Sequence, residues 1–382
     1  MNAKGKKFAA GMPQEKLDAK TIAMIDRLAG QVRGSIRHGE LPAIRLPVRS
    51  LGNVTYDKAK GYFELGGAEK TRTLTVNTAR IFAQTLRLMA TARTMVAQND
   101  FATKREAYYV SKNWGDARFD EQAESDAVMD DIEALAAAQG LSREQLRFYP
   151  ESHGGSVAGE LTVLDRNPQT GEAIEIDCRS LGSGAYGIPR SVEHLQFRTQ
   201  AKFILAIETG GMFQRLNNHR FWEEANGILV EMGGVPTRAT RRFIRRLSDA
   251  MDLPVWCFTD CDPYGFSNIY RTLKVGSGNA AHINRFFCVP RARYLGVTPQ
   301  DIIDFGLEDA THPLSKADIK RARDALKNDP FFAAHPLWIS AIEQLLKMGV
   351  RAEQQALAKW GLNYVIEEYL PRKLANPAGF LP

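Results

Sequence analysis

Four short, nearly continuous apolar runs mark the second half of the chain, and stretches with helical periodicity separate them. The runs cover residues 203–207, 227–230, 254–258 and 285–289. Apolar runs of this length without alternation are typical of strands buried on both faces, and strands that alternate with helices form parallel sheets. We therefore predict an open parallel α/β domain, preceded by a β-hairpin over 157–178.

The first half has a different pattern, in which helices dominate. Apolar residues between 82 and 96 recur at steps of three and four, which predicts one face of a helix. Thr103 and Glu106 have the spacing of a capping box that starts a second helix, and a third is predicted over 123–138. Strand-like runs then flank residues 154–155. Three helices followed by a β-ribbon are typical of a DNA-binding winged helix-turn-helix, although many domains with this order never bind DNA.

These patterns divide the chain into three parts. Residues 1–70 form an N-terminal segment, whose first 20 residues carry Lys and Gly without periodicity and are predicted to be a mobile tail. Residues 71–158 are the predicted winged-helix domain. Residues 159–382 are the predicted α/β domain with its preceding hairpin and C-terminal helices.

Composition narrows the classes of protein that remain. Hydrophobic residues make up 44% of the chain and charged residues 25%, which excludes bulk disorder. No apolar run approaches the roughly 20 residues that cross a bilayer, and the basic start lacks the apolar region of a secretory signal. Four cysteines make no disulfide framework. We therefore expect a cytoplasmic protein without a membrane partner, and its net charge of +6 permits a polyanionic partner without requiring one.

Three carboxylates are predicted at one edge of the α/β sheet. Glu208 follows one apolar run, and Asp260 and Asp262 follow another. If the extended backbone continues through Asp262, the period of two places both aspartates on the same side. Ligands collect at the carboxyl ends of parallel strands, and carboxylates that repel one another there suit Mg²⁺. The alternative is that these acids simply meet solvent and cap the next helix.

A tyrosine and an arginine share one face of the capped helix. Arg105 and Tyr109 are four residues apart, so the guanidinium could lower the pKa of the phenol and hold a phosphate. A tyrosine needs such help to act as a nucleophile at neutral pH. On spacing alone, however, an aromatic ring packed into the core with Arg105 in water is the favoured interpretation.

A third group of candidates is basic and would bind DNA. Five arginines between residues 238 and 246 follow one stripe of a predicted helix without an intervening acid, which makes a polyanion in the groove plausible. A solvated surface helix explains the stripe equally well. The candidate DNA-binding residues are Lys104, Arg238, Arg241, Arg242 and Arg245.

Neither of the common nucleotide-binding motifs is expected to operate in this chain. Residues 182–187 match G-x-G-x-x-G, but Ile188 and Pro189 follow where a helix should begin, so a dinucleotide site is not expected. The chain has no G-x-x-x-x-G-K-[ST] sequence and therefore no P-loop for ATP.

Several motifs closely resemble one family, the A subunit of type IIB DNA topoisomerase VI, whose eukaryotic relative is the meiotic double-strand-break transesterase. The resemblance runs in order from about residue 40 to the C-terminus. The motifs are TKREAYY (103–109), FDEQ (119–122), ETGGMFQRL (208–216), TRATR (237–241) and TDCDPYG (259–265).

The resemblance implies a fold and a site. It implies a winged-helix (CAP-like) domain that bears the nucleophile, followed by a Toprim domain that binds Mg²⁺. By motif, Tyr109 is the nucleophile with Arg105 as its catalytic neighbour. Glu208, Asp260 and Asp262 are the metal ligands.

The resemblance also implies partners and an activity. Double-stranded DNA is cut by a homodimer, in which the tyrosine of one copy works with the metal of the other. A GHKL-type ATPase B subunit completes an A2B2 heterotetramer, and the segment before about residue 70 meets it. The expected function is the cleaving and religating subunit of an ATP-dependent topoisomerase. Alternatives are a stand-alone transesterase without a B subunit and a non-catalytic DNA-binding protein.

Overall fold

The computed structural model describes residues 11–151, 154–167 and 169–382. The N-terminal segment is ordered into a long helix and two small antiparallel strand pairs, β1 with β4 and β2 with β3. Its elements are α1 (Gln14–Arg37), β1 (Ala43–Pro47), β2 (Val54–Asp57), β3 (Tyr62–Leu65) and β4 (Glu69–Thr73).

The prediction of a mobile tail over residues 1–20 is wrong from residue 14 onwards, because α1 begins there. Residues 1–10 lie outside the described part. Leu17, Met24, Ile25 and Val32 are the buried apolar residues of α1, at steps of seven, one and seven. Residues at this spacing lie on one narrow face of α1, and this face packs on other helices of the chain.

The predicted three helices are present in the next unit, and they share one apolar core with α1. A short parallel pair, β5 with β6, closes the unit. Its elements are α2 (Ala79–Gln98), β5 (Ala102–Thr103), α3 (Lys104–Val110), α4 (Gln122–Ala137) and β6 (Phe148–Tyr149).

The prediction of a β-ribbon around residues 154–155 is wrong. The strand that follows, Ser156–Gly159, pairs antiparallel with Gly227–Glu231 and so belongs to the large sheet. Val157 and Ala158, whose side chains point to opposite faces, are both buried, which suits a strand inside a sheet covered on both sides. The predicted hairpin is confirmed for Thr162–Arg166 and Ala173–Asp177 only. The strands here are β7 (Ser156–Gly159), β8 (Thr162–Arg166), β9 (Ala173–Asp177), β10 (Tyr186–Gly187) and β11 (Gln196–Arg198).

A six-stranded sheet with parallel strands at its centre forms the α/β domain, as predicted. Its order is β10-β7-β13-β12-β14-β15, and the last four strands of that order are parallel. The elements are β12 (Phe203–Ile207), α5 (Gly210–Asn218), α6 (Phe221–Glu224), β13 (Gly227–Glu231), α7 (Arg238–Met251), β14 (Val255–Phe258), α8 (Arg271–Lys274), α9 (Ala281–Phe287), β15 (Ala292–Gly296) and α10 (Pro299–Asp304).

One of the four strand predictions, that for residues 285–289, is wrong. Residues 285–289 form the end of α9 and the turn after it, and the fourth parallel strand is β15. Ile283 and Phe287, one helical turn apart, are both buried, so the apolar run reflects the buried face of a helix and the turn that follows.

The C-terminal region is helical, as predicted, and it packs into the same core as the sheet. Within the ranges that the structure describes, no helix is long and apolar enough to cross a membrane. The elements are β16 (His312–Pro313), α11 (Lys316–Asn328), α12 (Pro330–Ala333), α13 (Pro336–Met348), β17 (Val350–Arg351) and α14 (Leu370–Ala375), with π-helical turns at Gly265–Tyr270 and Val365–Tyr369.

Candidate active site

The three predicted carboxylates lie at the carboxyl edge of the parallel sheet. Glu208 directly follows β12, and Asp260 and Asp262 follow β14, which is the neighbouring strand in register. The backbone N–H of Asp260 donates a hydrogen bond of 2.9 Å to Oε2 of Glu208. The parallel sheet therefore brings together acids that are about 50 residues apart in sequence.

Past β14, the backbone forms one further bridge, at Cys261, and it bends at Asp262. Cys261 forms an antiparallel bridge with Ala352 and is fully buried, whereas Asp260 and Asp262 on either side of it are partly exposed. The chain then turns at Gly265, whose N–H donates to Oδ1 of Asp262 at 2.6 Å. A Cβ at this glycine would lie 2.7 Å from the carbonyl oxygen of Asp260, so the turn needs a residue without a side chain.

Burial and mutual repulsion disfavour negative charge on these carboxyls. Burial, and next the negative charge of Asp260, raise the pKa of Glu208 to about 7. Burial is also the main cause that raises the pKa of Asp260, to about 6, and of Asp262. Nη1 of Arg351 lies 3.8 Å from Oδ2 of Asp262. The positive charge of Arg351 lowers the pKa of Asp260 and Asp262, but less than burial raises it.

The donor set fits a hard cation, although the side chains do not enclose one. Across the described ranges, no three His, Cys, Asp or Glu side chains converge closely enough to hold a metal ion. Glu208, Asp260 and Asp262 offer oxygen atoms only, and their negative charge is poorly compensated, which is the chemistry that Mg²⁺ selects. Binding would require their side chains to rotate towards one another.

The two adjacent tyrosines of α3 have different surroundings. The side chain of Tyr108 is partly buried against the helical core, and its hydroxyl donates to the carbonyl of Asp120 at 3.0 Å. Tyr109 is 56% exposed. The interpretation of Tyr109 as a core residue is therefore wrong, and Tyr108 has the packing role.

Arg105 lies beside Tyr109, as the spacing of four predicts. Its guanidinium carbon is 6.0 Å from the centroid of the Tyr109 ring, and the interaction with the Tyr109 hydroxyl raises the pKa of Arg105. Both side chains are exposed, so the pair presents a positive charge and a phenol together at the surface.

The predicted capping box of α3 is confirmed. Oγ1 of Thr103 accepts from the N–H of Glu106 at 3.1 Å, and the N–H of Thr103 donates to the Glu106 carboxylate at 2.6 Å. A helix of seven residues is unstable by itself, so this cap helps to hold Tyr109 in place.

We expect Thr103→Ala to destabilise α3 by about 0.5–2 kcal/mol, because the N-terminal N–H groups lose their acceptor. Hydrogen exchange of the amides of residues 104–110 would show the loss as faster exchange. Thr103→Ser keeps the acceptor and should exchange as the wild type does. Equal exchange in the alanine and serine variants would show that tertiary packing alone holds the helix.

Comparison with known proteins decides the family. Residues 203–374 match the Toprim domain of the topoisomerase 6 A subunit and Spo11, residues 151–201 match the all-beta domain in the DNA topoisomerase VI alpha subunit, and residues 80–147 match the family described as type IIB DNA topoisomerase. The A subunit of type 2 DNA topoisomerase 6 from Methanocaldococcus jannaschii is 54% identical over 370 residues, which cover 97% of each chain. This chain belongs to the topoisomerase VI A-subunit family.

Further members of the family are similar over nearly the same length. The A subunit of type 2 DNA topoisomerase 6 from Halobacterium salinarum is 37% identical over 91% of this chain and 94% of its own. That of Methanothermobacter thermautotrophicus is 35% identical over 92% and 96%. The resemblance predicted from the motifs is confirmed, and so is the Toprim domain.

The arginines of α7, predicted to bind DNA, are instead engaged within the protein. Arg238 is largely buried and pairs with Glu144 at 2.8 Å and with Glu133. Burial opposes its charge, but the two glutamates raise the pKa of Arg238 overall. Arg238 thus contacts one acid of α4 and one of the loop after it, and the pattern of residues along the sequence did not predict these contacts.

The remaining basic candidates have internal contacts as well. Arg242 pairs with Glu193 and donates to the carbonyl of Phe286, and Arg245 pairs with Asp249 and donates to the carbonyl of Cys288. Burial lowers the pKa of Arg241 to about 10, and its Nε has no hydrogen-bond partner within the described residues. Lys104 pairs with Asp126 at 2.8 Å. The surroundings of Arg238 and Arg242 thus differ from those of a solvated surface helix, and DNA binding by these residues stays a prediction.

We expect Arg238→Met to lower the free energy of unfolding by about 3–5 kcal/mol, because it leaves Glu133 and Glu144 buried without their cation. Arg245→Met, on the same helix, should lower it by about 1–1.5 kcal/mol, because Asp249 is half exposed. Urea denaturation measures both. A loss of DNA affinity in Arg238→Met at unchanged stability would contradict the structural role and support the DNA-binding prediction.

Sequence reasoning missed one segment that lies against the acidic edge. Besides Arg351, it contains Glu353, whose charge raises the pKa of both Glu208 and Asp260, and Gln354, whose N–H donates to Oδ1 of Asp260 at 2.8 Å. These residues lie about 90 positions after the aspartates, and no motif or periodicity marks them.

Proposed function

We propose that this chain is the DNA-cleaving and religating subunit of a type IIB topoisomerase, with Tyr109 as its nucleophile. The observation that supports this most directly is the contrast within the tyrosine pair. Tyr108 is held by the core and by Asp120, whereas Tyr109 is exposed beside Arg105 on a capped helix. A phenol that attacks DNA must reach a phosphate from outside, and of the two tyrosines of α3 it is Tyr109 that is exposed.

The helical unit around Tyr109 is proposed to bind DNA as a winged helix. Its support is the shared core of α2, α3 and α4, together with the exposed side chains of Arg105, Tyr109 and Val110 on the short helix. The ribbon predicted after α4 is absent at residues 154–155, so the assignment rests on the helices.

The proposed reaction is a reversible transesterification. Oη of Tyr109 forms a bond to a backbone phosphorus while the bond from that phosphorus to the 3′ oxygen breaks. The phenolic proton passes to solvent, and the leaving oxygen takes a proton to become a 3′-hydroxyl. Arg105 places its positive charge beside the phosphate, where negative charge develops. The 5′-phosphotyrosyl link keeps the phosphodiester energy, so the reverse attack reseals the strand.

Glu208, Asp260 and Asp262 are proposed to hold Mg²⁺. When bound, the ion stabilises negative charge on the phosphate and on the leaving oxygen. The carboxylates themselves position it at the edge of the sheet, where two neighbouring strand ends meet. Toprim enzymes as a group use a divalent ion, and the oxygen-only donor set suits a hard divalent ion such as magnesium.

The proposed assembly contains two copies of this chain and a GHKL-type ATPase B subunit, in an A2B2 heterotetramer on double-stranded DNA. The relatives are named as A subunits, which implies a second kind of subunit. The N-terminal segment, which exposes the apolar side chains of Ile36, Leu41 and Leu51, is proposed as the surface that meets this partner. In the proposed homodimer, Tyr109 of one copy works with the carboxylates of the other.

The test uses purified protein, supercoiled plasmid and Mg²⁺, with the B subunit and an ATP analogue added or withheld. Detergent stops the reaction, and the products are scored for double-strand breaks with protein on the 5′ ends. Breaks that require the B subunit support the heterotetrameric topoisomerase. Breaks without it indicate a stand-alone transesterase, and DNA binding without any covalent product would contradict the proposed chemistry.

A further inference from the structure

Gln354 connects the two strand ends that carry the proposed metal ligands. Its side chain is completely buried at the start of the 3-10 helix Gln354–Trp360. The side-chain Nε2 donates to the carbonyl oxygen of Phe258 at 3.1 Å, and Oε1 accepts from the hydroxyl of Thr209 at 3.2 Å. The backbone N–H donates to Oδ1 of Asp260 at 2.8 Å.

These contacts lie directly beside the acids. Thr209 follows Glu208 in sequence, and Phe258 is the last residue of β14, two positions before Asp260. The bridge between Ala352 and Cys261, with hydrogen bonds of 2.7 and 3.1 Å, extends the same connection towards Asp262. One short segment from the C-terminal region therefore contacts both strand ends.

Only an amide satisfies both neighbours of the Gln354 side chain. The carbonyl of Phe258, which also accepts from the N–H of Glu208 at 3.0 Å, takes a second donor from Gln354, and the hydroxyl of Thr209 donates and so needs an acceptor. A glutamate has no donor and would add negative charge near three carboxylates, whereas methionine fills a similar volume and makes neither hydrogen bond. Without the amide, the Thr209 hydroxyl loses this acceptor and the Phe258 carbonyl keeps only the N–H of Glu208, so the side-chain contacts that join the ends of β12 and β14 are lost.

We infer that Gln354 is a positioning residue that fixes the separation of the β12 and β14 ends, and hence of Glu208 and Asp260, for binding of a divalent cation. The inference rests on the proposed function for the identity of the metal ligands. Residues that orient metal ligands through hydrogen bonds commonly change metal affinity by about 10- to 100-fold when they are replaced.

The test measures metal binding directly, with Mn²⁺ as the probe and its electron paramagnetic resonance signal as the readout of free ion. Gln354→Met is expected to weaken Mn²⁺ binding by about 10- to 100-fold and to raise the Mg²⁺ concentration for half-maximal cleavage in proportion. Cleavage should recover at saturating Mg²⁺. Gln354→Leu is the second variant, for use if the methionine variant does not fold; it is also uncharged, makes neither hydrogen bond, and should weaken binding in the same direction.

The matched control is Asn284→Leu. Asn284 is also completely buried, and its amide also donates to backbone carbonyls, those of Phe63 and Ser277, away from the acidic edge. This variant should lose thermal stability but bind Mn²⁺ as the wild type does. Unchanged Mn²⁺ affinity in the Gln354 variants, or an equal loss in Asn284→Leu, would overturn the inference.

A further variant separates this inference from the proposed function. Glu208→Gln removes a proposed ligand and should weaken Mn²⁺ binding by itself. If it does so while the Gln354 variants bind normally, only the positioning role fails. If Glu208→Gln binds Mn²⁺ normally, the proposed metal site fails first.

Discussion

Tyr109→Phe is expected to lower the formation of covalent DNA–protein adducts by at least about 10⁴-fold, because it removes the hydroxyl that is proposed to form the phosphotyrosyl bond. The ring of Tyr109 is more than half exposed, so loss of its hydroxyl should leave the free energy of unfolding nearly unchanged. Adducts on labelled plasmid after a detergent stop, and the midpoint of urea denaturation, measure the two effects.

Tyr108→Phe is the matched control for this experiment. It removes the hydrogen bond to the Asp120 carbonyl and should lower the free energy of unfolding by about 1 kcal/mol, while adducts still form. Tyr109→Phe is thus expected to change adduct formation, whereas Tyr108→Phe is expected to change the free energy of unfolding. If Tyr108→Phe abolished adducts and Tyr109→Phe did not, the assignment of the nucleophile would be reversed.

Glu208→Gln is expected to lower cleavage by about 10²–10³-fold, a typical effect of removing one group that stabilises transition-state charge. DNA binding should persist. Without metal, the variant should melt at the same temperature as the wild type or higher, because one of three repelling carboxylates becomes neutral. Added Mg²⁺ should stabilise the wild type and not the variant. Differential scanning calorimetry with and without Mg²⁺ measures both effects.

Glu231→Gln provides the control at a similar position. Glu231 ends β13, next to β12 in the sheet, but its carboxylate lies near Gly210 at the start of α5. We expect this variant to keep cleavage within about tenfold of the wild type and to keep its stabilisation by Mg²⁺. If Glu208→Gln retained both cleavage and stabilisation by Mg²⁺, the carboxylates would not be the metal site.

Local patterns predicted a large part of the fold. The capping box at Thr103 and Glu106 starts α3 as expected, because the cap depends only on residues three apart. The run 203–207 is a strand with the predicted bounds, because a strand buried on both faces has no alternating polar residues. The positions of Glu208 after β12 and of Asp260 and Asp262 after β14 follow from the same reasoning.

Predictions failed where distant elements set the surroundings of a residue. The run 285–289 is as apolar as a strand, but the buried residues there belong to a helix and its turn. β7 lies next to three predicted helices in sequence but pairs with β13, about 70 residues later. Arg238 lies in a stripe of charge that is unopposed in sequence, and Glu133 and Glu144 from another domain compensate it.

By itself, the sequence determined the family, the central strands, the capped helix and the candidate residues Tyr109, Glu208, Asp260 and Asp262, because motifs and periodicity are properties of neighbouring residues. Only the tertiary structure decided that Tyr109 is exposed while Tyr108 is packed, that the α7 arginines are engaged within the protein, and that Gln354 connects the acidic strand ends. Burial, charge compensation and hydrogen bonding depend on which distant segments meet, and no local pattern contains that information.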